Sequence, residues 1–449
     1  MKKTVKSIIG ILMVLMLAAG FVACGGGDGA KGDVIELRVL NYFSMANANA
    51  AEENEIVWDT FEKAHPNIKI LREDEFNEPF HHKVEAYAAS GQLPDVILCW
   101  PSGRSTTLHT QRLLKDLAPL VQRDGLASLY NAVSMDPSQQ GAGYMGMITR
   151  GLTATNAFFI NLEVLNDCGL QPAKTYAELK AQVPVLRAKG YETVLMANDQ
   201  TWVMQSCLFS SLAGRFCGEG WEKRILSGQA KFTDPDFVAA LQFVKTMYDD
   251  GVLSQATLAT EYQDVAGLFA TNKGAYMIDG DWKQGDLITD KTTGVALISP
   301  DRQKNIRIDV FPDIDGVKFN KSNTVVLATG WGMNANIPAG SPKEEAAWTL
   351  LKWLVGKEAQ IFFTESGIFP TPSRTDIDPS TLNLEPIQQE MAMMGSKYNV
   401  STVVIDAAFE GPVYTPLNDG LQAMGLGRQT PQQVAELTQA ALEAWKATQ

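Results

Sequence analysis

The chain begins its ordered pattern with alternating apolar and charged residues at 34–41, VIELRVLN. This period of two predicts a half-buried β-strand that ends at Asn41. Residues 50–66 carry apolar side chains at helical spacing and end at Pro66, which predicts a helix. The alternation then continues, and we predict a strand at 67–74, a helix at 80–91 and a strand at 93–100.

Strands that alternate with helices favour a parallel sheet covered by helices on both faces. In such sheets ligands bind beyond the carboxyl ends of the strands. We therefore expect Asn41 and Tyr42 after the first strand, Glu75 after the second and Trp100 at the end of the third to lie near a ligand.

The rest of the chain is richer in helix starts. Thr175, Asp234, Ser341 and Thr430 each precede a helical pattern, and three of them are followed directly by proline. We predict that each side chain accepts a hydrogen bond from a free amide of the first turn.

The N-terminus has a different pattern. Three lysines, an uncharged run from Ile8 to Ala19 and then small residues are typical of a secretory signal peptide. The run is shorter than the about 20 residues of a membrane-spanning helix. The sequence FVAC resembles a bacterial lipobox, although Phe21 stands where leucine is usual. We predict a signal peptide at 1–23 and a lipidated Cys24 that opens a flexible tether at 24–33, the alternative being an ordinary signal peptide with an unmodified cysteine.

Length and charge narrow the class of protein. A chain of 449 residues is long for one core and favours two domains. Loss of residues 1–23 removes three lysines and no acid, which takes the net charge from −13 to −16. Such acidity argues against nucleic-acid binding and against adhesion to anionic lipid. With no second long apolar run, we expect a soluble body outside the cytoplasm, held by its anchor.

Cysteine and histidine spacing gives no metal centre. The five cysteines include no CxxC pair, and His81-His82 lacks the spacing of a zinc motif. We expect no cofactor and no metal. Cys207 and Cys217 are near enough in sequence for a disulfide, but we favour buried thiols.

Five stretches, in this order, resemble one family: SGQLPDVIL, FFINLEVLNDCGLQPAKTYAELK, LFATNKGAYMIDGDW, GWGMNANIPAGSPKEEAAWTLLKWLVGKEAQIFFTESGIFPTPSR and LQAMGLGRQTPQQVAELTQAALEAW. The chain is similar to the extracellular solute-binding proteins of ABC importers, within the carbohydrate-binding family that includes maltose-binding proteins. The similarity extends over nearly the whole mature chain.

This resemblance implies an α/β, two-lobed periplasmic-binding-protein fold with a hinge and a ligand cleft between the lobes. It places lobe one at 34–150 plus 322–372 and lobe two at 153–318 plus 376–449. It also implies that a monomer captures a mono- or oligosaccharide, closes over it and delivers it to the transmembrane subunits of an ABC permease. No covalent chemistry is expected.

A sugar site needs flat aromatic rings beside carboxylates and amides, because sugars have apolar C–H faces and polar rims. By position and by resemblance, the candidate ligand-binding residues are Trp282, Trp331, Trp100, Trp202, Asp281, Asn41, Tyr42 and Glu75. For each tryptophan, core packing is the competing interpretation.

Three other functions stay open. An anchored glycoside hydrolase needs two carboxylates about 5–9.5 Å apart, for which Asp279 and Asp281 are the candidates. A non-sugar solute such as a polyol, a peptide or an anion is the second, and the acidic net charge argues against the anion. The third is a sensor that keeps the fold and reports to a membrane receptor.

Overall fold

The computed structural model describes residues 34–101, 103–140, 143–397 and 403–448. The predicted signal peptide, Cys24 and the rest of the tether lie outside these residues. Within the described residues, no helix combines the length and the hydropathy that crossing a bilayer requires.

The described residues contain twelve strands. They are β1 Ile35–Tyr42, β2 Ile68–Glu75, β3 Val96–Cys99, β4 Met147–Thr149, β5 Gly151–Ala154, β6 Ala157–Asn161, β7 Glu192–Leu195, β8 Gly274–Asp279, β9 Ile306–Asp309, β10 Val325–Leu327, β11 Gly330–Met333 and β12 Thr371–Pro372.

Nineteen α-helices occur in the same part of the chain. They are α1 Ala50–Glu53, α2 Thr60–Ala64, α3 Glu78–Ser90, α4 Thr106–Thr110, α5 Ala118–Arg123, α6 Leu162–Asp167, α7 Tyr176–Ala188, α8 Thr201–Met204, α9 Ser210–Cys217, α10 Trp221–Leu226, α11 Pro235–Asp249, α12 Val265–Ala270, α13 Pro300–Gln303, α14 Pro342–Leu354, α15 Lys357–Glu365, α16 Pro386–Lys397, α17 Ile405–Ala408, α18 Gly411–Gly425 and α19 Pro431–Lys446. Wider π-helical turns, Asn54–Asp59 and Gln205–Phe209, join α1 to α2 and α8 to α9.

The first core forms around a five-stranded sheet in the order β2-β1-β3-β11-β4. The predicted strands and helices of the first hundred residues are confirmed, and β1 pairs in parallel with β2 and β3. The expectation of a parallel sheet is wrong for its other half. There β11, which returns from far along the chain, runs antiparallel to β3 and β4. We call this core and its surroundings lobe one.

The second core surrounds a four-stranded sheet in the order β7-β8-β6-β9. Every residue of β6 and β8 is buried. Successive side chains of a strand point to opposite faces. Phe158 and Tyr276 therefore pack into one apolar cluster, while Phe159 and Met277 pack into another behind the sheet. We call this part lobe two.

A small third sheet lies where the chain passes between the two cores. Its order is β10-β5-β12, and both neighbours pair antiparallel to β5. The chain thus crosses between the lobes along three paired segments. This arrangement is the hinge of a two-lobed α/β fold, as the resemblance implied.

The helix caps are mostly those predicted. Thr175 and Thr430 form full capping boxes, and Ser341 accepts a hydrogen bond from the backbone N–H of Glu344. The prediction for Asp234 is wrong, because its carboxylate accepts from the backbone N–H of Lys231, before the helix, instead.

The four cysteines in the described residues are free thiols. Cys207 and Cys217 are both buried and unpaired, so the structure contains no disulfide between them. Burial raises the pKa of each thiol, which makes both poor nucleophiles.

Candidate functional site

A cavity of about 460 Å³ lies between the two lobes. Lobe one contributes Tyr42 at the end of β1, Phe76 after β2 and Trp100 after β3. The carboxyl-end edge of the parallel strands, expected to face a ligand, therefore forms one wall. Lobe two contributes Trp202 and Trp282 to the opposite wall.

Three aromatic rings form the lobe-two wall. The centroid of Trp202 lies 5.3 Å from that of Tyr262 and 6.2 Å from that of Trp282. The indole N–H of Trp282 donates a hydrogen bond of 2.7 Å to the Tyr262 hydroxyl. A Cβ atom at Gly280 would come within 2.2 Å of the Trp282 ring, so only glycine allows this ring position. The wall is therefore held rigidly.

The lobe-one wall is also aromatic. The Tyr42 ring centroid lies 4.8 Å from Phe76 and 5.3 Å from Trp100, and His81 lies 4.7 Å from Trp100. Burial first, and the nearby Arg104 second, hold the pKa of His81 well below its usual value, so the imidazole is neutral. This wall presents ring surface without a histidine charge.

The structure thus brings four of the eight candidates to the cavity: Tyr42, Trp100, Trp202 and Trp282. Their contact with a ligand stays a prediction.

Trp331 is not brought to the cavity. Its side chain is 1% exposed and packs edge-on against Trp58, with 5.8 Å between ring centroids. It lies on β11, between β3 and β4, where both faces of the sheet are covered. We correct the expectation and assign Trp331 to the lobe-one core.

The three polar candidates beside the strands have protein partners instead. The Asp281 carboxylate accepts hydrogen bonds from the Thr153 hydroxyl at 2.7 Å and from the Ala154 N–H at 2.6 Å. Asn41 is buried and donates to Asp74 at 3.1 Å, and Glu75 pairs with Lys83. None of these three lines the cavity, so the expectation that they do is also corrected.

Four residues form a polar bridge between the lobes, which we call the interlobe ion group: Arg104, Glu78, Asp406 and Ser206. Arg104 of lobe one bonds Glu78 at 2.7 Å and reaches Asp406 of lobe two at 3.2 Å. The Ser206 hydroxyl donates to the same Asp406 carboxylate at 3.1 Å. The Arg104 and Asp406 side chains are 8% and 12% exposed, so their pair is largely shielded from water, whereas Glu78 at the rim is 40% exposed.

Asn77 supports the same closure. Its φ of 61° and ψ of −145° lie in a region that only glycine enters readily. From this strained position its side-chain oxygen accepts from the Trp202 indole N–H at 3.1 Å, and its amide donates to Gln200 at 3.3 Å. The strain is consistent with a role in the contact between lobes.

Lys283 brings a buried charge to the cavity wall. Its ammonium lies 3.6 Å from the Tyr262 ring centroid and 3.0 Å from Asp286. Asp279 is 3.9 Å away and fully buried, and this burial raises its pKa to about 6. These contacts pair the Lys283 charge within the protein.

Arg150 and Glu53 are the remaining charged residues of the lining. The Arg150 guanidinium lies 4.7 Å from the ring centroids of both Phe363 and Phe369 and donates to the Thr329 hydroxyl at 2.7 Å. Glu53 is near enough for the Arg150 charge to act on its pKa, which burial nevertheless raises to about 7. Neither residue forms an ion pair with any residue that the structure describes.

Sequence reasoning missed Arg104, Asn77, Tyr262, Asp406 and Arg150. Arg104 and Asp406 are 302 residues apart, and no local pattern links them. Asn77 is exceptional only in its backbone angles. The run LNYF did place Tyr42 because it ends a strand that periodicity predicts.

The site offers stacking surfaces and hydrogen-bonding groups. Across the described residues, no group of three or more His, Cys, Asp or Glu side chains is placed to hold a metal ion.

Two aromatic walls on separate lobes, a cavity between them and a three-strand hinge define a two-lobed binding protein. The family model described as bacterial extracellular solute-binding protein matches residues 57–394. The chain belongs to this family of binding proteins, whose members act outside the cytoplasm.

Solved structures agree with the fold. A chitin oligosaccharide binding protein has 19% sequence identity and a TM-score of 0.81, with 93% of this chain and 100% of that chain covered. A protein described with xylan utilisation by Caldanaerobius polysaccharolyticus has 18% identity and a TM-score of 0.80, with 90% and 99% covered. Maltose-bound MalE3 of T. maritima has 17% identity and a TM-score of 0.70, with 92% and 100% covered. No curated protein matches the chain by sequence.

Proposed function

We propose that the protein captures a mono- or oligosaccharide in the interlobe cavity and delivers it to an ABC permease. The observation that carries the proposal is the pair of aromatic walls, one on each lobe. Trp202, Tyr262 and Trp282 face the cavity from lobe two, and Tyr42 and Trp100 face it from lobe one. Flat rings match the apolar faces of sugar rings, and the polar groups between them match hydroxyls.

The comparisons support a sugar over other solutes. Similar structures are described as a chitin oligosaccharide binding protein and as a maltose-bound protein, and they share the fold of this chain. A ligand between two lobes stabilises the closed form because it contacts both sides. Closure is then the change that a permease recognises.

We further propose lobe boundaries at 34–150 plus 322–372 and at 153–318 plus 376–449. The two sheets and their clusters support this division. We also propose that Cys24 carries a lipid that anchors a monomer to the outer side of a membrane. The FVAC sequence and the tether support the anchor.

The test is a thermal-stability scan of residues 25–449 against mono- and oligosaccharides, with polyols, peptides and anions in the same panel. A ligand that binds only the folded protein at a hundredfold excess over Kd stabilises it by about 2.7 kcal/mol. Stabilisation by one sugar class supports the proposal, and calorimetry then gives the affinity. Stabilisation only by a polyol or a peptide overturns the sugar assignment and keeps the family.

The hydrolase alternative has a separate test. Asp281 uses both carboxylate oxygens inside the protein, and Asp279 is fully buried. We therefore expect a bound oligosaccharide to be recovered intact after hours of incubation. Release of shorter sugars would contradict a function limited to binding.

A further inference from the structure

Arg150 is a buried arginine on the wall of the cavity whose charge no described carboxylate pairs. Arg150 is 7% exposed and lies between β4 and β5, next to the hinge strand β5. The other two basic residues of the lining differ in this respect. Arg104 pairs with Glu78 and Asp406, and Lys283 pairs with Asp286.

The contacts of Arg150 fix the position of its side chain but do not neutralise its positive charge. Two phenyl rings, Phe363 and Phe369, lie against the guanidinium, and Thr329 accepts one hydrogen bond. The buried Nε–H has no partner among the described residues. A buried, unpaired charge with an unused donor is unfavourable, and an arginine fork matches a carboxylate with two parallel hydrogen bonds.

Glu53 is the acidic residue of the lining that could serve as a partner for Arg150, but it forms no ion pair with it. No ion pair joins Glu53 to Arg150, although both line the cavity. Burial holds the Glu53 carboxyl partly protonated near neutral pH. The protonated fraction carries an O–H that can donate a hydrogen bond to an anionic oxygen of a ligand.

We infer that the ligand is an acidic saccharide whose ring carries a carboxylate, a uronate, and that Arg150 binds this carboxylate while the aromatic walls hold the sugar rings. This inference rests on the proposed sugar-binding function and specifies its substrate class. Arg150 is the residue that distinguishes acidic from neutral sugars.

The acidic net charge of the chain does not oppose this assignment. A net charge acts mainly on the rate of encounter and is screened within about 8–10 Å at physiological salt. The stability of the bound state depends on the groups in contact with the ligand. At Arg150 those groups are one cation, two phenyl rings and a hydroxyl, with the Glu53 carboxyl close enough for the two charges to interact.

The experiment compares matched sugars on the full-length protein, purified in detergent, by titration calorimetry. The pairs are glucose with glucuronate and galactose with galacturonate, together with short oligomers built from each. We expect at least one uronate to bind about thirtyfold more tightly than its neutral counterpart, the factor expected from one desolvated charge pair. Arg150→Gln should remove this preference, lowering the affinity for the uronate by a much larger factor than the affinity for the neutral sugar.

Arg104→Gln is the matched control, because it changes another buried arginine of the lining. It should lower the affinity for both members of a pair by the same factor, since its partners are protein carboxylates.

Neutral sugars that bind as tightly as uronates would overturn the inference and leave the sugar-binding function standing. An equal loss for both sugars in Arg150→Gln would also overturn it and make Arg150 a hinge support. Binding of neither series, together with stabilisation by another neutral sugar in the thermal scan, would overturn the inference and keep the sugar-binding function, whereas no stabilisation by any sugar would overturn both. If Arg150→Gln does not fold, the comparison of neutral and acidic sugars on the wild-type protein tests the inference. The affinity for the uronate must then fall as the salt concentration rises, while the affinity for the neutral sugar stays constant.

Discussion

At the scale of single residues, the position of Trp282 is set by its neighbours on both sides. Its N–H is bound by the Tyr262 hydroxyl, and its ring lies over the backbone of Gly280. A side chain held in this way loses little freedom when a ligand arrives, so more of the stacking energy appears as affinity.

Trp282→Ala should therefore weaken ligand binding by about 1–3 kcal/mol, which is the loss of one aromatic platform and its buried area. Titration calorimetry with the best sugar of the panel measures the loss. Trp331→Phe is the control, because Trp331 lies in the lobe-one core and its N–H has no partner among the described residues. Trp331→Phe should lower the melting temperature and leave the affinity for the same sugar unchanged. Unchanged affinity in Trp282→Ala would assign that ring to packing.

Burial of Asp281 makes the stability of the fold depend on pH. Burial raises its pKa to about 7, although Ala154 and Thr153 donate hydrogen bonds to the carboxylate. The folded protein therefore keeps a proton on Asp281 that the unfolded chain has lost above its ordinary pKa. The resulting stabilisation is complete below that ordinary value and disappears as pH rises through 7.

The free energy of unfolding of the wild type, measured relative to Asp281→Asn, should accordingly fall by on the order of 2 kcal/mol between pH 5 and pH 8. Urea unfolding at several pH values measures this difference. Asp378→Asn is the control, because the hydrogen bonds from Ser380 lower the Asp378 pKa and move its titration below this range. A flat difference for Asp281→Asn would show that its carboxyl is ionised throughout.

At the scale of elements, one π-helical turn contributes a residue to the cavity and the other begins directly after a residue of the lining. Ser206, which lines the cavity and bonds Asp406, is within Gln205–Phe209, and Glu53 directly precedes Asn54–Asp59. Such turns redirect the side chains that follow them and are frequent at functional sites. Hydrophobic periodicity predicted the helices but not these turns, because one extra residue hardly changes the apolar face.

The interlobe ion group joins elements of different lobes through the pair of Arg104 and Asp406. Arg104→Gln removes the positively charged partner of Asp406. The closed form then lacks one buried ion pair, so the affinity for every ligand should fall by about tenfold or more. Calorimetry with several ligands tests whether the factor is uniform.

Lys189→Gln is the control for this change, since its pair with Asp167 is exposed and lies within lobe two. Its effect on affinity should be within error. A loss in Arg104→Gln confined to one ligand would mean that Arg104 contacts that ligand directly.

At the scale of the whole molecule, the chain order of strands, helices and caps could be predicted, whereas contacts between distant segments could not. Periodicity gave β1, β2 and β3, and cap residues gave the starts of α7, α14 and α19. Trp331 and Trp282 both follow glycine-containing turns, so local sequence does not separate them. Only the pairing of β11 between two strands buries Trp331. The pairing of Arg104 with Asp406 likewise depends on the tertiary fold.

The proposed anchor is also a property of the whole molecule. Cys24→Ser should move the protein from the membrane fraction to the medium or the periplasmic extract, because the proposed lipid is attached to this one residue. Cys168→Ser, which changes a half-buried thiol of lobe two, should leave the distribution as in the wild type. Cell fractionation followed by immunoblotting measures the distribution of both variants. Membrane retention of Cys24→Ser would contradict the lipobox assignment.

The contacts between the lobes at Arg104 and Asn77 join protein groups to protein groups. These contacts need no ligand, so we expect a fraction of ligand-free molecules to adopt the closed form. On the proposed function, ligand-free and ligand-bound carriers would then compete for the same permease. Uptake would depend on the ratio of carriers to permeases as well as on the amount of ligand, and we expect excess carrier to slow import when ligand is scarce.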